Sequence, residues 1–410
     1  MGIGFMLNKI DLNNSFNLLR NLLEQKRINQ NEAQVLSGLD DFNFQKLFSD
    51  FIYERRKINI LVCGGAGFIG SNFIHYMLEK YPGYKIVCFD KLTYAGNRNN
   101  HLAIEHLPNY HFVQGDITDL PHLQNVISEQ QISHIINFAA ETHVDRSIHG
   151  DSKDFVLTNT LGAQTLLEAV RKQKIEKFIH ISTDEVFGDT DFDSKELFSE
   201  NDLFKPSSPY AAAKAGGDLL CRAYFRTHKT PVIVTHCSNN YGPFQFPEKM
   251  IPFFLFKLMK GDKVPVYGDG RNIRDMIHVR DHVRALDLLL HKGKPGEVYN
   301  IGSDNERSNM EITRMILKIV GKDESAIKYV TDRPGHDRRY AINSEKIRAL
   351  GWAPEYTSEH FEKGLRETIE WYLNNRAWVD DLWSRQNEMN GWMDSFAERS
   401  AKPLFITDQK

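Results

Sequence analysis

Ile58-Asn59-Ile60-Leu61-Val62-Cys63-Gly64-Gly65-Ala66-Gly67-Phe68-Ile69-Gly70 is an apolar run that breaks on glycines, after which Ser71 to Lys80 continues with helical periodicity. The order is strand, turn, helix. Gly64, Gly67 and Gly70 follow a G-x-x-G-x-x-G spacing, in which the missing Cβ atoms permit a tight turn and let backbone N–H groups and a helix N-terminus approach a pyrophosphate. A second strand, Tyr84 to Phe89, ends in Asp90, twenty residues after Gly70. A carboxylate there accepts hydrogen bonds from both hydroxyls of an adenosine ribose and repels a 2′-phosphate, so the expected cofactor is NAD rather than NADP.

Outward from this unit, strands alternate with helices from Lys57 to about Lys177, with strand candidates at 58–63, 84–89, 110–114, 132–138 and 177–182. Such alternation implies an α/β fold, a parallel sheet covered on both faces. Ligands collect beyond the carboxyl ends of such strands, where the glycine turn, Asp90, Gly115-Asp116-Ile117, Ala139-Ala140-Glu141-Thr142-His143 and Ser182-Thr183-Asp184-Glu185 all fall. From about Phe244 the chain is richer in loops and returns to the sheet once, near Val298 to Gly302.

The chemistry-bearing stretch is Ile181-Ser182-Thr183-Asp184-Glu185-Val186-Phe187-Gly188, followed by Pro209-Tyr210-Ala211-Ala212-Ala213-Lys214. A hydroxyl and two adjacent carboxylates end an apolar run, and a tyrosine then stands one helical turn from a lysine. With a nicotinamide cofactor these groups could oxidise a sugar alcohol, eliminate water beside the new ketone and return the hydride. Y-x-x-x-K occurs four times, at Tyr53, Tyr76, Tyr81 and Tyr210, so the spacing alone decides nothing. Only the last pair follows the strand ending in Thr183, with Ser208-Pro209 as N-cap and first-turn proline.

The 410 residues, 41% of them hydrophobic, suffice for two or three domains. Fifty-one basic against 54 acidic residues give a net charge of −3, which offers no general attraction for nucleic acid or anionic membrane. Cys63, Cys88, Cys221 and Cys237 form no C-x-x-C pair and read as reduced structural thiols rather than metal ligands. The longest apolar stretch, near Met250 to Met259, is too short to span a bilayer and carries Pro252 and Lys257. With no leader-like N-terminus, the expectation is a soluble, cytoplasmic protein.

Residues 1–57 stand apart as a helical extension: Leu12, Phe16, Leu19 and Leu23 repeat at helical spacing, and Phe42, Leu47, Phe48, Phe51 and Ile52 suggest another amphipathic helix. Its apolar face could pack on the main domain, a second subunit or a partner protein. The expected organisation is then a cofactor-binding domain over 58–243, a mainly substrate-binding segment over 244–375, and a tail over 376–410.

From Ile58 to about Leu373 the chain resembles the extended short-chain dehydrogenases, and within them the nucleotide-sugar 4,6-dehydratases. The resemblance rests on Gly64 to Gly70, Leu92-Thr93-Tyr94-Ala95-Gly96-Asn97, Glu141-Thr142-His143-Val144-Asp145-Arg146-Ser147, Ser182 to Gly188, Ser238-Asn239-Asn240-Tyr241-Gly242-Pro243 and Arg333-Pro334-Gly335-His336-Asp337-Arg338-Arg339-Tyr340. It implies a Rossmann-type, doubly wound domain with tightly bound NAD, a smaller nucleotide-sugar domain and a homodimer. The implied reaction turns dTDP-D-glucose into dTDP-4-dehydro-6-deoxy-D-glucose and water. In it Tyr210, drawn toward phenolate by Lys214 and the oxidised nicotinamide, is the redox base. Thr183 binds the C4 oxygen, Glu185 takes the C5 proton and Asp184 protonates the departing C6 hydroxyl.

The resemblance further implies NAD contacts from Phe68, Ile69, Asp90, Lys91, Leu92, Thr93, Asp116, Ile117, Ala139, Ala140, Thr142, Thr158 and Asn240, with Lys214 on the nicotinamide ribose. Substrate contacts would come from His143, Asn239, Lys249, Arg274, Asn309, Arg333 and His336, the two guanidinium forks suiting a diphosphate. Met276 stands where many members carry tryptophan. A UDP-sugar dehydratase, a 4-epimerase and a noncatalytic sensor of NAD or nucleotide sugar remain alternatives at this point. The acidic pair Asp184-Glu185 argues for the dehydratase, because many epimerising relatives lack it.

Overall fold

A computed structural model of the chain describes residues 58–332 and 336–382. The N-terminal extension, Arg333 and the tail beyond Leu382 lie outside the described residues, as do the expectations placed on them. Seven parallel strands form the central sheet: β1 (Asn59–Cys63), β2 (Lys85–Asp90), β3 (Tyr110–Gln114), β4 (His134–Asn137), β5 (Lys177–Thr183), β6 (Val232–Cys237) and β10 (Val298–Ile301). Their spatial order is β10-β6-β5-β4-β1-β2-β3. This is the doubly wound order, with its switch point between β1 and β4. The strand expectations agree with these spans to within about two residues at each end, while β6, not named from the sequence, slots between β5 and β10.

Strand alternation divides the interior into two cores. Ile60 and Val62 of β1 face one layer with Phe73, Ile74 and Met77 of the helix Phe68–Lys80 and with Leu286 and Leu289 of the helix Val279–Lys292. Leu61 and Cys63 face the other layer with Leu123, Leu166, Leu167 and Cys221. Each such side chain, fully removed from water, contributes about 1.5–3 kcal/mol before the entropy of ordering it is counted. All four cysteines are free and buried, and burial pushes the Cys237 thiol up to about 12.

A smaller layer lies beyond the carboxyl ends of β5 and β6. Its core gathers Phe254, Leu255 and Leu258 of the helix Met250–Met259, Ile312 and Ile316 of Asn309–Ile319, and Phe361, Leu365, Ile369 and Tyr372 of Phe361–Asn374. Two short sheets brace it. In one, β7 (Asn239–Tyr241) runs parallel to β9 (Ile273–His278), which is antiparallel to β11 (Glu306–Ser308); in the other, β8 (Val264–Tyr267) pairs with β12 (Ile327–Val330). The segment after 244 therefore builds this layer and also supplies β10 and the helix Val279–Lys292 to the large sheet. The first residues of the tail continue as helix through 376–382, where Trp378 Nε1 donates to Asn100 Oδ1 at 2.8 Å.

Among the described residues no helix is long and apolar enough to cross a membrane.

Candidate active site

The glycine turn after β1 requires its glycines. Gly64 has φ +70°, and a Cβ there would stand 2.4 Å from the Ala139 nitrogen at the end of β4, the neighbouring strand. Backbone therefore meets backbone at the switch point. The helix that follows begins at Phe68 with Gly67 as N-cap and no side-chain cap, which leaves its first N–H groups for an anionic ligand. Asp90, at the end of β2, accepts from the Ala66 nitrogen at 2.9 Å and from the Leu92 nitrogen at 2.7 Å. Burial raises its pKa and these two N–H groups oppose the rise.

A cleft of about 470 Å³ runs from this turn to the end of β5. Gly64, Gly67, Phe68, Ile69, Gly70, Asp90, Lys91, Thr93, Asp116, Ile117, Ala139, Ala140, Thr142, Thr158 and Asn240 line it, as expected from the sequence. Leu92 does not. It adopts a left-handed backbone, φ +58°, and its N–H holds the Asp90 carboxylate instead of forming the wall. Lys91 Nζ and Asp116 Oδ2 pair at 2.7 Å across the mouth. The cleft suits a dinucleotide: glycine turn and helix start for a pyrophosphate, a buried carboxylate for a ribose, and the reactive side chains at the far end.

That far end brings together Thr183, Asp184, Glu185, Tyr210 and Lys214. Thr183 closes β5, and its hydroxyl accepts from the Glu185 nitrogen and donates to Asp184 Oδ1, each at 3.3 Å, so the 3-10 turn Asp184–Phe187 is capped by the residue before it. Ser208 caps the helix Pro209–His228 through the Ala211 nitrogen at 3.1 Å, which sets Tyr210 and Lys214 on one face. Asp184 is buried. Burial, then the neighbouring Glu185 charge, push its pKa well above the usual carboxylate range, which suits a proton donor.

The surroundings of Tyr210 and Lys214 bear on the ionisation of both. Lys214 Nζ donates to the Ile181 carbonyl at 2.5 Å, and burial lowers the lysine's pKa. Burial, then the Glu185 carboxylate, push the Tyr210 phenol well above its ordinary value. The protein's own groups thus favour the neutral phenol, because the ring is taken out of water and acidic side chains crowd it; the positive charge of a bound oxidised nicotinamide would act in the opposite sense.

A second cleft of about 270 Å³ shares Asn239, Asn240, Gln245, Glu248 and Lys249 with the first. His143, Asn239, Lys249, Arg274, Asn309 and His336 line it as expected. Arg274 is held by the Asp337 carbonyl at 3.1 Å and lies over the Tyr340 ring at 4.4 Å, while Met276 forms part of the apolar wall beside Tyr267. Glu248 was not anticipated. Its buried carboxylate sits where the clefts join, accepting from Tyr94 at 3.3 Å and Thr142 at 3.4 Å, with Oε2 unpartnered. A charge directly beside the candidate Lys249, just ahead of an apolar helix, was the signal that could have found it.

Residues 61–368 match the family model described as GDP-mannose 4,6 dehydratase. A dTDP-glucose 4,6-dehydratase of Streptomyces niveus is 48% identical over 330 residues, 79% of this chain and 96% of the relative. Among solved structures, dTDP-glucose 4,6-dehydratase from Bacillus anthracis in complex with NAD is 49% identical with a TM-score of 0.74, covering 79% of this chain and 99% of that one. The UDP-glucuronic acid 4-epimerase of Bacillus cereus, in complex with UDP-glucuronic acid and NAD, is more distant, at 28% identity and TM-score 0.71 over 77% of this chain and 99% of its own. A parallel sheet with a dinucleotide cleft and a Thr-Asp-Glu/Tyr-Lys set is the class that fold and site define. The chain belongs to the GDP-mannose 4,6-dehydratase family of extended short-chain dehydrogenases.

Proposed function

We propose that this protein is an NAD-dependent nucleotide-sugar 4,6-dehydratase, a hydro-lyase that converts dTDP-D-glucose to dTDP-4-dehydro-6-deoxy-D-glucose and water. The observation that carries the reading is the buried, proton-retaining Asp184 next to Glu185 at the end of the cleft, a pair an epimerase has no use for. Bound NAD would supply a reversible hydride acceptor, held by the glycine turn, Asp90 and Lys214.

The chain's own groups then divide the proton chemistry. Tyr210, as the phenolate that the positive charge of a bound oxidised nicotinamide would favour, takes the C4 hydroxyl proton while Thr183 hydrogen-bonds the same oxygen. Once C4 is a ketone, the C5 proton is acidic because the carbanion delocalises into the carbonyl, and Glu185 removes it. Asp184 protonates the C6 hydroxyl as it departs. His143, Asn239, Lys249, Arg274, Asn309 and His336 hold the nucleotide diphosphate end in the second cleft.

Incubation with dTDP-glucose and a panel of other nucleotide sugars, read by mass, tests the reading. A product lighter by one water is expected, and most rapidly from dTDP-glucose; an unchanged mass with inverted C4 would make the protein an epimerase. Tyr210→Phe should lower turnover by ~10²–10⁴-fold, as loss of a general base does, while the purified variant retains its NAD. Wild-type turnover in that variant would remove Tyr210 from the mechanism.

The reading includes a homodimer and, since four buried free thiols fit a reducing compartment, a cytoplasmic location. Val156 and Leu161 on the segment Val156–Gly162 and Leu219 on the adjoining helix Pro209–His228 are 52%, 44% and 56% exposed, and this apolar patch supports pairing of two copies. Leu219→Arg should shift sedimentation from dimer to monomer at micromolar concentration; a wild-type protein that sediments as a monomer would dispose of the dimer.

A further inference from the structure

Behind the reactive groups lies a buried polar cluster that the mechanism above does not use. Tyr210, Lys214 and Asp218 follow one another at single-turn intervals on one face of the helix Pro209–His228. Asp218 is 4% exposed. Its Oδ2 accepts from the Ser182 hydroxyl at 2.6 Å and faces His236 Nε2 at 3.2 Å, and its Oδ1 faces His180 Nε2 at 3.6 Å. The register of the sheet makes this possible, because Asn137 of β4 lies beside His180 of β5, and Ser182 of β5 beside His236 of β6, itself beside Asn300 of β10.

The two asparagines orient the imidazoles. Asn137 Oδ1 accepts from the Ala139 nitrogen, so its amide nitrogen must be the atom donating to His180 Nδ1 at 3.3 Å, and the His180 proton is left on Nε2. Asn300 Nδ2 donates to the Phe198 carbonyl, so its oxygen accepts from His236 Nδ1. The Ser182 hydroxyl therefore donates to Asp218, while the Nε2 atoms of His236 and His180 face its two carboxylate oxygens. They hold it as a carboxylate despite burial, and its pKa is lowered overall.

We propose that Asp218 is a positioning residue: its carboxylate keeps the buried Lys214 ammonium charged and, through the Ser182 hydroxyl, fixes the end of β5 from which Thr183 and Asp184 reach the substrate. The inference rests on the dehydratase reading. The titratable groups facing Lys214 are Asp218, Cys221 and Tyr210 on its own helix, His180 on β5 and Cys237 on β6. Burial holds His180 neutral, at about 3, and keeps both thiols and the Tyr210 phenol protonated. Asp218 is thus the one anion in this group at neutral pH, and it is the counter-charge that opposes the loss of the lysine's proton to burial.

The test compares Asp218→Asn and Asp218→Glu with the full-length NAD-loaded enzyme. Asparagine keeps the shape and the Ser182 acceptor and removes only the charge. Without it the ammonium should lose its proton earlier, so the alkaline limb of the kcat–pH profile should move down by at least one pH unit. The kcat at neutral pH should fall about ten-fold or more, with KM for the nucleotide sugar within two-fold. Glutamate restores the charge and should return the limb toward its original position. Equilibrium NAD binding by the same proteins, measured across the same pH range without turnover, should show the same displacement. An alkaline limb unmoved in Asp218→Asn, or moved equally in Asp218→Glu, would overturn the proposal. Should the wild type dehydrate no nucleotide sugar at all, the functional reading fails, and the binding curves still decide on Asp218.

Discussion

Glu185→Gln stops solvent deuterium from entering C5 of the sugar and lowers water loss by about 10³–10⁴-fold, the upper range for removal of a general base. The amide is nearly the same shape as the carboxylate, so the turn Asp184–Phe187 and its cap by Thr183 should persist, and the nucleotide sugar should still bind in the second cleft. Quenched-flow isotope analysis at C5 checks this directly. Deuterium entering at the wild-type rate would assign the C5 base to another group. The substitution also removes the charge that raises the neighbouring Asp184, so the variant's remaining acid should titrate lower than in the wild type.

Asp184→Asn is expected to have a different signature. The C5 base remains, but the group that carries the proton for the C6 hydroxyl is gone, so C5 exchange should outrun product formation, while overall dehydration falls by ~10²–10⁴-fold. In the wild type the rate should decline with rising pH as Asp184 loses its proton, because burial, then the neighbouring Glu185 charge, raise its pKa and keep the acid form to a higher pH than an ordinary carboxylate. That component should vanish in the asparagine variant, leaving the alkaline limb that Lys214 sets. If both variants dehydrate at the native rate, the acidic pair has no part in catalysis and the C5 base and C6 acid are other groups.

Much of the site was legible because its constraints act over short stretches of chain. Gly64 is favoured by the positive φ of its own turn, and Asp90 follows at the end of the next strand. Thr183, Asp184 and Glu185 are consecutive, and Tyr210 and Lys214 share a helical turn. What escaped depends on side chains meeting across the fold. Asp218 acquires its meaning from Asn137, His180, His236 and Asn300 on four different strands, none of which carries a local motif. Leu92 takes a left-handed backbone that nothing in a Leu-Thr-Tyr run announces, and Glu248 meets hydrogen-bond partners over a hundred residues away in one case and over a hundred and fifty in the other. The surroundings of Lys214 escaped for the same reason: helical spacing places it near Tyr210, but only the packed interior shows that it points its ammonium at Ile181.

The route of the chain after residue 244 bears on engineering. It builds the nucleotide-sugar layer through 278, crosses to lay the helix Val279–Lys292 on the helix Phe68–Lys80 and β10 against β6, then goes back for the remaining elements. Tyr76, Lys80 and Tyr81 all converge on Asp287 of the crossing helix, tying it into the first βα unit. A chimera that swaps sugar specificity by one splice near 243 would carry this crossing with it and confront one parent's sheet with the other's edge strand. Grafts of 244–278, 302–344 and 357–375, with 279–301 and the stretch around Ile347 and Trp352 that packs in the sheet's core left native, respect the topology and keep the recipient's sheet intact.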